Sequence, residues 1–150
     1  MKKSQRLNVV IELHARQEQD ALAALGGVQQ RLREQQAQLD SLLNYRVEYL
    51  HNFAVRQQSG IPVSQLMEFR AFSEKLDSAI DSQRQAVAQQ EREVQRARKH
   101  WEDSRQRTKS LRKVSELALA EEIKNEQKRE QAEQDDRAAR TVNGNGTGPA

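Results

Sequence analysis

A single strong helix break, at residues 57–64, divides this chain into two long stretches that favour helix. Pro62 is the only proline in the first 140 residues, and within that range Gly60 is the only glycine after residue 27. Proline lacks a backbone donor and disfavours helical geometry in the residue before it, whereas glycine tolerates positive φ. Because helix-forming sequence lies on both sides, the break predicts a chain reversal and therefore a helical hairpin.

A 3-4 spacing of mostly apolar residues runs through both stretches. This spacing is typical of a coiled coil because it keeps one face of each helix against a partner helix. The first seam consists of Leu7, Ile11, His14, Glu18, Ala21, Leu25, Val28, Leu32, Gln35, Leu39, Leu42, Arg46, Tyr49 and Phe53. The second seam consists of Leu66, Phe69, Ser73, Leu76, Ile80, Gln83, Val87, Gln90, Val94, Ala97, Trp101, Ser104, Thr108 and Leu111.

The two seams agree with each other when the chain is folded back at Gly60. In that register, residues whose numbers sum to roughly 122 face each other. Phe53 then meets Phe69. The largest seam residue, Trp101, meets the small Ala21. This agreement predicts an all-α fold in the form of a long antiparallel two-helix coiled-coil hairpin.

The composition supports that fold and disfavours several classes of function. The chain is 35% hydrophobic and 31% charged, which is typical of long helices rather than of a globular core. Two helices leave no room for a water-excluding cleft, so we do not expect an enzyme. The sequence contains no cysteine, no apolar run that could span a bilayer and no hydrophobic signal-peptide segment. We therefore expect a cytoplasmic protein that does not insert into a membrane.

The break and the seams also predict how the chain is divided. The expected segments are a frayed basic N-terminus (1–6), a first helix (7–56), a turn (57–64), a second helix (65–140) and a disordered tail (141–150). Ser64 is placed to serve as the N-cap of the second helix. In the same register Leu7 lies near Ser115, so the second helix should continue beyond the first as a single-helix overhang.

A glycine pair, Gly26-Gly27, lowers the helix propensity in the middle of the first helix but leaves the 3-4 spacing unbroken. Each glycine costs about 1 kcal/mol relative to alanine in a helix interior. Two explanations are open for such a pair: a locally less stable position in the helix, which we call a soft point, or a close contact with the other helix. No strand precedes it, so it lacks the context of a phosphate-binding loop.

We expect no metal and no cofactor. His14, His51 and His100 share no ligand spacing, and there is no thiol to join them. The carboxylates lie at solvent-facing helix positions and offer no desolvated acid–base pair.

Charge is segregated along the second helix. Residues 96–113 hold eight Lys and Arg against two acids, and residues 116–136 hold eight acids against three bases. Three interpretations of the basic run are open: a solvated helix face, a contact with an acidic protein partner, or a contact with nucleic acid. Nucleic acid is the weakest of these interpretations, because Trp101 lies in the second seam and no exposed aromatic is left for base stacking.

Two aromatic stripes flank the predicted turn. Tyr45 and Phe72 do not fall on the seams. The stripes are Leu42, Tyr45 and Tyr49 on the first helix, and Phe72, Leu76 and Ala79 on the second. They form either an apolar cap that stabilises the turn or an exposed site for a partner.

These residues resemble the FliJ proteins of the bacterial flagellar export apparatus. The likeness rests on Gln38-Leu39-x-x-Leu42-Leu43-x-Tyr45-x-x-Glu48-Tyr49, on Gly60-Ile61, and on Phe72-x-x-x-Leu76-x-x-Ala79-Ile80-x-x-Gln83. It covers residues 7–140. The resemblance implies a coiled-coil hairpin similar to the γ stalk of rotary ATPases.

The resemblance further implies a central stalk, adaptor and general chaperone of flagellar type III export, at the cytoplasmic face of the inner membrane. Its partners would be the hexameric export ATPase, the membrane export gate and export chaperones. The gate-contact set implied by the family is Gln38, Leu42, Tyr45, Tyr49, Phe72, Leu76, Ala79 and Gln83. At the position of Gln83 the family can have histidine.

For the ATPase ring we expect an electrostatic contact, because a hexamer has no symmetry match to a two-helix stalk. The ring-contact set comprises Arg105, Arg107, Lys109 and Arg112. The sequence leaves open a structural scaffold or chaperone without an ATPase partner, the stalk of a virulence type III secretion system, and a basic nucleic-acid-binding coil.

Overall fold

The computed structural model describes residues 2–145. Within that range the chain forms two α-helices, α1 (Lys3–Gln58) and α2 (Val63–Asn145), and no strand. The two helices pack against each other with opposite chain directions. The predicted all-α helical hairpin is therefore confirmed.

The end of α1 is fixed by hydrogen bonds within the backbone. The amides of Ser59 and Gly60 donate to the carbonyl oxygens of Arg56 and Gln57, each at 3.2 Å. These bonds satisfy carbonyl groups that have no partner further along the helix. Gly60 has φ of 81°, in the left-handed region that glycine adopts at little cost.

The start of α2 is fixed by Pro62. Its carbonyl oxygen accepts hydrogen bonds from the amides of Gln65 (3.1 Å) and Leu66 (3.2 Å), so Pro62 stands at the N-cap position. Proline is tolerated at this place because its missing N–H would have had no helical partner. The expectation that Ser64 is the N-cap was wrong, since Ser64 lies inside the first turn.

The chain divides into two compact units, each containing a segment of both helices. The turn unit is Glu18–Asp103, and the terminal unit is Met1–Gln17 with Ser104–Ala150. The buried apolar residues of the turn unit are Ala21, Leu25, Leu76, Ile80, Val87 and Val94, and all of them were predicted seam residues. Of the predicted seam residues, only Arg46 is exposed.

Two glutamines of α2 tie it to α1 inside the turn unit. Gln83 Nε2 donates to the carbonyl oxygen of Gln35 at 2.9 Å and to its side-chain Oε1 at 2.7 Å. Gln90 Nε2 donates to the carbonyl oxygen of Val28 at 3.2 Å. A helix carbonyl already accepts one bond from within its own helix and has a second lone pair to accept another. The seam thus keeps polar layers without leaving these amides unsatisfied.

The buried residues of the terminal unit are mostly small and polar. Ser104 and Thr108 are buried with Ala118, and Thr108 Oγ1 donates to the Ser104 carbonyl at 3.1 Å. Ser115 Oγ donates to Asn8 Oδ1 at 3.3 Å.

Packing between the helices extends further than the sequence predicted. α1 begins at Lys3 rather than at residue 7, because Glu122 of α2 accepts hydrogen bonds from the Ser4 amide (3.1 Å) and hydroxyl (2.7 Å). These bonds satisfy a first-turn N–H that has no partner in its own helix. The overhang therefore starts after Glu122 and not after Ser115, and residues 123–144 are exposed.

α2 also ends later than expected, at Asn145 instead of residue 140. An ion pair between Arg140 and Asp136 (3.2 Å) and a hydrogen bond from Thr141 Oγ1 to the Arg137 carbonyl (2.9 Å) support the last turns. The rest of the predicted disordered tail, residues 146–150, lies outside the described residues.

The glycine pair lies inside a continuous α1. A Cβ atom built on Gly26 would meet nothing within 4 Å, and one on Gly27 would meet only the end of the Arg31 side chain, at 4.0 Å. A close helix contact is therefore excluded as the reason for the pair, and the soft point remains as the interpretation.

Candidate partner-binding surface

Five aromatic side chains form a cluster in the turn unit. Tyr45, Tyr49 and Phe53 follow one another on α1 at intervals of four residues, which places them on one face of the helix. Phe69 and Phe72 reach this face from α2. Phe53 stacks on Phe69 with ring centroids 3.5 Å apart, and Tyr49 lies 5.2 Å from Phe69 and 4.6 Å from Phe72. We call these five residues the aromatic cluster.

The aromatic cluster has a half-buried part and an exposed edge. Phe53, Phe69 and Tyr49 are half-buried, so their stacking contributes to holding the helices together beside the turn. Tyr45 and Phe72 are 48% and 36% exposed and meet each other edge to face at 6.1 Å. The cap and the partner site, which the sequence left as alternatives, are therefore compatible: the cluster supplies both a stacked interior and an exposed aromatic edge.

A mostly apolar depression of about 440 Å³ lies further from the turn in the same unit. It is lined by Ala37, Gln38, Ser41, Leu42 and Gln83. The bonds from Gln83 to Gln35 fix the spacing of the helices at this point. The depression is shallow and open to solvent, and three of its lining residues, Gln38, Leu42 and Gln83, belong to the gate-contact set.

The eight residues of the gate-contact set all lie in the turn unit, but they are not equally accessible. Gln38 and Ala79 are exposed with Tyr45 and Phe72, and Leu42, Tyr49 and Gln83 are half-buried. Leu76 is only 7% exposed and belongs to the core. Leu76 can thus support this surface from below, whereas direct contact is open to the exposed members.

The four residues of the ring-contact set are all exposed in the terminal unit. Arg105, Lys109 and Arg112 are spaced by four and three residues, so they share one face of α2. Arg107 is two residues from both Arg105 and Lys109 and points roughly 160° away from each. The structure thus brings three of these cations together and separates the fourth.

The Ser4–Glu122 contact is the clearest electrostatic feature of the terminal unit. Hydrogen bonds from the Ser4 hydroxyl, and then from its amide, hold the pKa of the Glu122 carboxyl below its usual 4.5. The positive charge of Lys2 acts in the same direction, and partial desolvation opposes it. A carboxylate at the first turn of α1 also interacts favourably with the positive end of that helix.

A family model described as "Flagellar FliJ protein" matches residues 2–147 of the chain. The chain belongs to the FliJ family. The flagellar FliJ protein of Salmonella typhi is 24% identical over 136 residues, which cover 91% of this chain and 92% of the relative. The flagellar FliJ protein of Escherichia coli (strain K12) is 24% identical over 131 residues, which cover 87% and 89%. No solved structure gives a significant match.

Membership of the FliJ family confirms the resemblance noted in the sequence and gives the protein a role in flagellar protein export. Within residues 2–145 no group of three or more His, Cys, Asp or Glu residues could hold a metal ion. In the same range no helix is both long and apolar enough to cross a membrane.

One pair at the surface was missed by the sequence reasoning. Arg46, which was assigned to the first seam, points outward and forms an ion pair with Asp77 of α2 at 3.2 Å between Nε and Oδ1. Both side chains are about half exposed, so the pair adds little stability. A charged residue in an otherwise mostly apolar seam was the signal that could have revealed it.

Proposed function

We propose that this FliJ family member is the central stalk and adaptor of the flagellar type III export apparatus. In this role it links the hexameric export ATPase to the membrane export gate at the cytoplasmic face of the inner membrane, and it binds export chaperones. The observation that carries the proposal is the exposed aromatic edge of Tyr45 and Phe72, at the positions where the family resemblance places the gate contact.

An aromatic edge of this kind suits a protein partner. Tyr45 and Phe72 bring large apolar area to the surface, and aromatic residues are enriched among those that dominate binding energy at interfaces. Packing against Tyr49 restricts both rings, so little side-chain entropy remains to be lost when a partner binds.

Substitution of the exposed edge tests the gate contact. Tyr45→Ala and Phe72→Ala should each weaken binding to purified export-gate protein by roughly tenfold or more, a loss of about 1.4 kcal/mol or above. The matched controls are Leu50→Ala on α1 and Met67→Ala on α2, which remove exposed apolar side chains outside the gate-contact set in the same unit. Unchanged binding by Tyr45→Ala and Phe72→Ala together would contradict the proposed contact.

The ATPase contact is assigned to the shared cationic face of Arg105, Lys109 and Arg112. Contacts between a two-helix stalk and a hexameric ring should be many and weak, because the symmetries do not match. Exposed charges supply such contacts and make them sensitive to salt.

A triple reversal of Arg105, Lys109 and Arg112 to Glu should abolish stimulation of ATPase turnover and ring assembly, while gate binding remains. The control is the triple reversal of Lys124, Lys128 and Arg129, which are exposed in the same unit and change the net charge equally. Stimulation that survives the first reversal, or that is equally lost with the control, would place the ring contact elsewhere. A scaffold with no ATPase partner would show no stimulation even as wild type.

A further inference from the structure

A cavity of about 250 Å³ lies beside the turn, lined by both helices of the turn unit. Its apolar wall consists of Tyr49, Phe53, Ile61 and Phe69, and all four residues are half-buried. Phe69 is stacked with both Phe53 and Tyr49, at interplanar angles of 12° and 9°. We call this space the turn cavity.

The size of the turn cavity suits a single side chain. Pockets that bind small molecules usually have volumes of about 300–1,000 Å³, and this cavity is below that range. Protein interfaces gain much of their binding energy where one large side chain of one partner fills a pocket of the other. The stacked rings offer such a side chain a wall that is already packed. The turn cavity therefore favours an apolar or aromatic anchor residue of another protein over a small molecule.

The rim of the turn cavity is polar and exposed. It consists of Asn52 and Arg56 from α1 and of Gln65 and Glu68 from α2. The one cation and the one carboxylate leave the rim without net charge, so it gives no preference for an anion such as a phosphate. The two carboxamides, one on each helix, are uncharged groups that both donate and accept hydrogen bonds.

We propose that the turn cavity binds an extended segment of the export-gate protein, which is anchored there by one apolar or aromatic side chain. This inference rests on the proposed function, because it takes the gate as the partner. The cavity adjoins the exposed aromatic edge: Tyr49 lines the cavity, and its ring centroid lies 6.2 Å from that of Tyr45 and 4.6 Å from that of Phe72. A partner that covers the edge therefore reaches the cavity with its neighbouring residues.

The rim selects an extended segment rather than a helix. A peptide group has one donor and one acceptor, so the carboxamides of Asn52 and Gln65 can each bind a backbone group of the partner beside its anchor side chain. Inside a helix the backbone groups are already hydrogen-bonded to one another, whereas in an extended segment they are free to bind the rim.

Filling the turn cavity tests the anchor. Gln65→Trp places a large ring at the rim, where it can occupy the space that the partner's side chain would take. It should weaken binding to purified export-gate protein by about tenfold or more, measured by isothermal titration calorimetry, while the melting temperature of the chain stays the same or rises. The matched control is Gln85→Trp, which adds the same ring at another exposed position of α2 in the turn unit and should bind like the wild type.

Removing the two carboxamides tests the backbone contact. Asn52→Ala with Gln65→Ala should also weaken gate binding by about tenfold. Both positions are exposed in helices, and alanine has a higher helix propensity than either residue, so the fold should not be destabilised. Asn44→Ala with Gln85→Ala is the control, because it removes the same two groups from exposed positions that do not line the cavity.

Wild-type affinity in Gln65→Trp, or in the variant with Asn52→Ala and Gln65→Ala, would overturn the proposal. If Tyr45→Ala and Phe72→Ala still weaken binding in that case, the gate contact of the proposed function stands and only the assignment of the cavity is wrong. A wild-type chain that does not bind the gate protein would overturn both.

Discussion

The glycine pair in the middle of α1 offers the most direct test of the structure. Gly26 and Gly27 are exposed, lie inside a continuous helix and do not have positive φ. Alanine at both positions would add two methyl groups and meet no neighbour closer than 4.0 Å. We therefore expect Gly26→Ala/Gly27→Ala to stabilise the protein.

The size of this effect follows from helix propensity. Glycine is about 0.8–1.0 kcal/mol less favourable than alanine in an exposed helix interior, largely because its unfolded chain has more freedom to lose. Neither methyl group forms a new packing contact, so the two contributions should add to about 1.5–2 kcal/mol. For a chain of this size that corresponds to a rise in melting temperature of about 3–8 °C.

Thermal and urea unfolding followed by circular dichroism would measure the change. Gly60→Ala is the matched control: its φ of 81° is strained for alanine, so the same substitution there should destabilise the protein by about 1–2 kcal/mol. A double variant that is less stable than wild type would refute the reasoning, because it would mean that the pair contacts something or departs from helical geometry. If the soft point serves export, the stabilised variant should also impair motility.

Three further predictions concern single side chains. Tyr49→Ala should cost about 2–3 kcal/mol because Tyr49 contacts three neighbouring rings, whereas Tyr45→Ala at the exposed edge should cost under about 1 kcal/mol. Urea unfolding measures both losses, and equal losses would contradict the distinction between interior and edge. Gln83→Ala should cost about 1–2 kcal/mol by removing the two hydrogen bonds to α1, and a neutral effect in the same assay would show that these bonds do not hold the helices. Hydrogen bonding lowers the pKa of Glu122 from 4.5, so folding favours the ionised carboxylate. The resulting contribution to stability is full above about pH 4.5 and is lost as the pH falls through the lowered pKa. The melting temperature of the wild type should exceed that of Glu122→Gln near pH 7 and converge with it toward about pH 3; a constant difference would count against the contact.

Most of the fold could be predicted because periodicity and the helix break act locally. The 3-4 spacing identified the packed face of both helices, and the register from Gly60 correctly paired Phe53 with Phe69. The Ser4–Glu122 contact was missed because both residues are polar, and apolar periodicity gives no signal for a hydrogen bond between distant residues. Yet the 3-4 spacing does continue from Leu111 through Ser115 and Ala118 to Glu122, so spacing without regard to polarity would have found it.

The candidate surface was harder to predict than the fold. The sequence placed Tyr45 and Phe72 off the seams, and both are exposed. It gave Leu76 two assignments at once, in the second seam and in the outer stripe, and only packing decides that this side chain is buried. For the cations, spacing along the chain suggested one patch, whereas helical geometry places Arg107 away from the other three.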